Sequence, residues 1–150
     1  MAVYLYNFIY FWHTYSVHQK FSLASYYRDA GNLELADQIF TNKQKYSQII
    51  ITNYPDDLYP WLAFFNRLDP FSFNAFAKNR QQGVWNWENI TFSSYHCPTE
   101  KSAEFPKNTL IIDAEGCQVN PIFAKKHALN LVATIRRPDL SDVYLIWEKN

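Results

Sequence analysis

Glycine is scarce, at three residues in a chain of 150. A glycine-rich cradle whose backbone amides close on phosphate is therefore excluded, and no G-x-x-x-x-G-K run occurs. The G-x-S-x-G elbow that presents a nucleophilic serine is absent too. Charge of one sign is also lacking. Fourteen Lys and Arg balance fourteen Asp and Glu with no basic or acidic block, so the long-range field that gathers a polyanion is missing and nucleic acid is not an expected partner. Cysteine is limited to Cys97 and Cys117. None of the close spacings of zinc sites occurs among His96, Cys97, Cys117 and His127, so neither a metal nor a cofactor is expected.

A further absence is local. Met1 to Val17 contain no Asp, Glu, Lys or Arg, yet hold Tyr4, Tyr6, Phe8, Tyr10, Phe11, Trp12 and Tyr15. A bilayer-spanning helix takes about 20 apolar residues, and Tyr and Trp concentrate where hydrocarbon meets headgroups. Residues 1–17 therefore read as the end of a membrane helix or an aromatic leader, with the lipid bilayer as its partner. The alternative is an aromatic-rich element of an ordinary core. A secretory signal fits poorly, because no basic region precedes the apolar run and no small-residue cleavage site follows it. Residues 18–150 read as a single soluble α/β domain, long enough to bury about two-thirds of the surface its unfolded form exposes.

What is present is mostly ring and branched chain: 19% of residues are aromatic. Helical spacing runs through Lys20 to Ala30 and again from Asn32, a good capping residue, to about Asn42. Ile49-Ile50-Ile51-Thr52 has no polar alternation, as in strands buried on both faces. Turn residues Asn53 to Asp57 lead to a helix from Leu58 to Leu68, with Trp61, Phe64, Phe65 and Leu68 on the face read as buried. Phe71 to Lys78 reads as a helical turn and Asn79 to Gly83 as a connector. Trp85–Trp87 and Ile90–Phe92 are strand candidates around Glu88-Asn89, and Cys97 to Asn108 is a loop with room for a short helix after Pro98.

Thr109 to Asp113 is a second apolar strand, and Val119 to Ala128 holds a short helix with Pro121 in its first turn. Leu129–Arg136 and Val143–Glu148, joined by Pro138 to Asp142, form an antiparallel hairpin at the sheet edge. The expected fold is α/β, a three-layer arrangement with a mixed, mainly parallel sheet, flanking helices and this C-terminal hairpin.

Candidate chemistry is thin. Asp56 and Asp57 follow the first strand, where open α/β sheets bind ligands, and Asp113 and Glu115 end a neighbouring strand. Such carboxylates serve a hydrolase as acid and base, but Asp56 and Asp57 also suit the start of the next helix as caps. Trp85, Trp87 and Tyr59 offer flat rings on which a sugar stacks, whereas core packing explains most of the other rings. Cys97 and Cys117 form a disulfide in an oxidising compartment and two thiols in a reducing one; spacing does not decide between them. Asn89-Ile90-Thr91 matches the glycosylation acceptor pattern but overlaps a strand.

The order of signals carries a resemblance. Tyr10-Phe11-Trp12-His13-Thr14-Tyr15 leads into a helix with Tyr26-Tyr27-Arg28-Asp29-Ala30. Then come Tyr46 to Thr52, Tyr59-Pro60-Trp61-Leu62-Ala63-Phe64-Phe65, Leu68-Asp69-Pro70, and later Trp87, Phe92 and Asn108 to Ile112. This resembles the soluble domain that follows the last membrane helix of GT-C membrane glycosyltransferases of the dolichyl-phosphate-mannose-protein mannosyltransferase or ArnT-like type. The resemblance implies a polyprenyl-phosphate sugar as donor and catalytic carboxylates in an earlier extracytoplasmic loop. It further implies an accessory part of a transferase at the extracytoplasmic side of the cell membrane, with no catalytic residue here. Its partners would be the membrane part of the same enzyme and a glycan or protein acceptor. A free-standing hydrolase using Asp56, Asp57 and Asp113, and a membrane-tethered interaction module, are the alternatives.

Overall fold

The computed structural model describes residues 2–14, 31–52, 58–65, 71–72 and 85–150. It is a mixed α/β structure built on one six-stranded sheet. Helix α1 covers Ala2–His13 and α2 Asn32–Asn42; they are followed by β1 at Gln48–Thr52 and α3 at Leu58–Phe65. Next come β2 at Trp85–Trp87, β3 at Ile90–Ser93, a 3₁₀ helix at Pro98–Glu104 and β4 at Thr109–Ala114. Helix α4 at Pro121–Lys126 precedes β5 at Leu129–Arg136 and β6 at Asp142–Lys149. The elements expected over Lys20 to Ala30, at Asn53 to Asp57, at Leu68, over most of Phe71 to Lys78 and at Asn79 to Gly83 lie outside the described residues.

The strand order is β2-β3-β1-β4-β6-β5. β1 lies between β3 and β4 and is parallel to both. Its triple isoleucine is buried on both sides, each side chain worth ~1.5–3 kcal/mol. Parallel pairing ends there. The pairs β2–β3, β4–β6 and β5–β6 are antiparallel, so the sheet is parallel at its centre and antiparallel toward both edges. The reason lies in the connections. Two short links make hairpins, and β6 returns beside β4 from the far strand of its own hairpin.

Alternation along β4 divides two cores. Leu110 and Ile112 join Ile49, Ile51, Phe92 and Ile146 under Leu35 and Ile39 of α2 and Leu58 and Leu62 of α3. Ile111 faces the other way, with Trp147 and Leu129, and is covered by Phe123 and Ala124 of α4 and by Phe105 and Val119. Helices α2 and α3 thus cover the first cluster and α4 the second.

Two local readings need correction. Asn32 opens α2 but does not cap it: Gly31 is the cap residue, at φ +84°, and the buried Asn32 Oδ1 accepts a hydrogen bond from Tyr144 Oη at 2.8 Å. A tertiary partner outbids the local one for that side chain. In α3 the buried residues are Leu58, Tyr59, Leu62 and Ala63, while Trp61 and Phe64 are exposed. Apolar residues ring this helix, so spacing alone offered more than one buried stripe, and docking on the sheet selected the other.

Candidate functional site

Three parallel strands deliver their carboxyl ends to one side of the sheet. There β1 ends at Thr52, β3 at Ser93 and β4 at Asp113 and Ala114, all buried. The connection leaving β1 carries α3 to one face, and the one leaving β4 carries α4 to the other. That divergence is a topological switch point, which leaves a crevice in open α/β sheets.

The crevice is walled by two loops. Past the end of β3, the chain crosses over β1 to reach β4, where the His96 carbonyl accepts from Ala114 N at 3.2 Å. Cys97 in this loop is joined by a disulfide to Cys117 in the loop after β4, with Cα atoms 5.6 Å apart. Between the walls lies a cleft of about 230 Å³ lined by Cys97, Thr99, Glu100, Cys117, Gln118, Val119, Asn120 and Phe123.

Asp113 braces the first wall from behind. It is 0% exposed, and its oxygens accept from Thr99 N at 2.9 Å and Thr99 Oγ1 at 2.5 Å. Burial lifts its pKa to about 6; the Thr99 hydrogen bonds and His96 pull it down, and the Glu100 charge pushes it up. This carboxylate anchors the start of the 3₁₀ helix and faces no solvent. Glu115 has a partner as well. Its carboxylate meets the buried Arg137 Nη1 at 2.5 Å, and Arg137 also donates to Ser141 Oγ and the Asp142 carbonyl, fastening the β5–β6 hairpin to the loop after β4.

The other sequence candidates fall elsewhere. Asp56 and Asp57 lie outside the described residues. Trp85 begins β2 in register with Phe92. Trp87 is 1% exposed, its ring edge-on to Phe40 at 5.7 Å and to Tyr59 at 6.0 Å. Tyr59 is buried against Trp87 and Phe92, and burial raises its pKa. Neither Tyr59 nor Trp87 presents a ring to solvent; both sit where the edge of the sheet meets α2 and α3. The Asn89 amide donates to the Lys43 and Tyr46 carbonyls, so the glycosylation pattern is occupied by a loop-closing contact.

His96, Cys97 and Cys117 bring one ring nitrogen and two sulfurs within 4.8 Å of one another. With the sulfurs bonded to each other, neither is the thiolate that zinc takes. His127 packs its ring on Phe123 at 4.2 Å, at the end of α4. The cleft residues Glu100, Gln118, Asn120 and Phe123 were not singled out from the sequence. The signal that points to them is the cysteine pair, each member of which follows a strand that flanks β1.

Fold and site together define an α/β domain with a mixed sheet and a disulfide-braced cleft at the carboxyl ends of its parallel strands. The chain matches no family model, no curated protein and no solved structure.

Proposed function

We propose that this chain is the accessory extracytoplasmic domain of a polyprenyl-phosphate-sugar-dependent membrane glycosyltransferase, its sheet the middle of three layers. It serves acceptor recognition or structural support and is not catalytic alone. One observation carries the reading. Tyr4, Leu5, Tyr6, Phe8, Ile9, Tyr10, Phe11 and Trp12 of α1 are all exposed, from 57% to 82%, and eight such positions leave no polar side on a helix of 3.6 residues per turn. Helices apolar on every side belong in lipid or inside a larger protein. Among the described residues no helix is long and apolar enough to cross a membrane; α1 spans about 18 Å of the ~30 Å required.

Two further features support the proposal. The Cys97–Cys117 bridge suits an oxidising compartment, and Phe64 and Phe71, 72% and 85% exposed, add apolar surface for packing on a membrane part. Against a free-standing hydrolase stands Asp113, buried and committed to Thr99.

The test reads the gene and the chain together. The reading frame ahead of Met1 is expected to encode several hydrophobic segments with an acidic residue in the first outer loop. The 150-residue chain is expected to hydrolyse no glycoside or sugar ester. A reproducible hydrolytic activity that disappears in the Asp56→Asn, Asp57→Asn double variant overturns the reading, as does a frame with no such segments.

A further inference from the structure

We infer that the cleft between the loops after β3 and β4 binds one neutral sugar ring, the terminal residue of an acceptor glycan. This rests on the glycosyltransferase reading and names the site through which acceptor recognition would work. Position comes first. The cleft lies between the chain that follows the carboxyl end of β3 and the chain that follows that of β4, with Phe123 of α4 in its lining.

Chemistry narrows the ligand. Among the described residues no lysine or arginine lines the cleft and Glu100 carries the one formal charge, so a phosphate-bearing donor is repelled and a neutral ligand admitted. Hydrogen bonding runs in both directions. Glu100 accepts, the Gln118 amide both donates and accepts, and Asn120, whose Oδ1 takes Ile122 N at 2.8 Å, keeps its Nδ2 protons as donors. Hydroxyl groups, which donate and accept, answer that mixture. Val119, Phe123 and the disulfide supply an apolar wall for the C–H face of a ring. A volume of about 230 Å³ suits a single ring and not an oligosaccharide.

The bridge gives the cleft its shape before any ligand arrives. Cys97 belongs to one wall and Cys117 to the other, so the disulfide holds their separation and less order is left to be lost on binding.

Titration of the 150-residue chain in lipid nanodiscs with methyl pyranosides of neutral hexoses, read by saturation-transfer NMR, tests the inference. Saturable transfer to the ring C–H protons is expected from at least one methyl pyranoside, and none from the matching sugar 1-phosphate. Glu100→Gln with Gln118→Ala should weaken binding roughly tenfold, as loss of a charge-assisted hydrogen bond does, with the thermal midpoint unchanged. The exposed Glu104→Gln should leave binding as it was. Transfer from no methyl pyranoside overturns the inference, as does equal binding of the 1-phosphate or undiminished binding in the double variant. Those results leave the glycosyltransferase reading standing if hydrophobic segments precede Met1; absence of those segments sinks the reading whatever the titration shows.

Discussion

Asp113 shows how a residue's role depends on what surrounds it. The folded chain holds its carboxyl at about 6, above the ordinary 3.8, so between those values the native state keeps a proton that the unfolded chain has released. Stability therefore falls as pH rises through that window and levels off above it, by on the order of 2–3 kcal/mol from this group. Asp113→Asn should remove that slope, read as urea midpoints across the same range, because the amide can still accept from Thr99 N. Gly31 is a second such residue. A Cβ there would lie 2.7 Å from Ile135 Cγ2, on a backbone already at φ +84°. Gly31→Ala is expected to cost about 2 kcal/mol or more, measured by denaturant unfolding. The sequence marks Gly31 as a break between helices, but the contact with Ile135 exists only once β5 lies under the cap.

Elements were legible where their signals were strong. The isoleucine run of β1, the apolar β4, Pro121 in the first turn of α4 and the C-terminal hairpin all stand where spacing and turn residues put them. Less legible was the face each helix buries. The α3 segment LYPWLAFF offers apolar residues in every direction, and only contact with the sheet chose Leu58, Tyr59, Leu62 and Ala63. Edge strand β5 carries a register shift between Leu131 and Ala133, with Leu131 and Val132 exposed, and such a bulge blunts an edge against pairing with another chain. The disulfide acts at this scale, linking the loops after β3 and β4. Cys97→Ser with Cys117→Ser should lower stability by about 3 kcal/mol, the loop-closure value for a bridge of this separation, as checked by calorimetry of the double variant.

For the whole molecule the dividing question is what covers α1. If lipid does, Trp12 should be quenched by brominated phospholipid in vesicles, whereas the buried Trp87 and Trp147 should not. Trp12→Phe should then reduce the quenched emission, to which the exposed Trp61 can also contribute; a quenched signal unchanged by that substitution places α1 outside the bilayer. The amino-acid order by itself determined the α/β class, the hairpin at the end and the uncharged aromatic start, because each is a local matter of spacing, turn chemistry or missing charge. Which rings are core and which acids are braces was set by packing in three dimensions, because burial and hydrogen bonding depend on neighbours far along the chain. The same holds for the cleft: residues near Cys97 and residues near Cys117 become its two walls only when β3 and β4 come to lie on either side of β1.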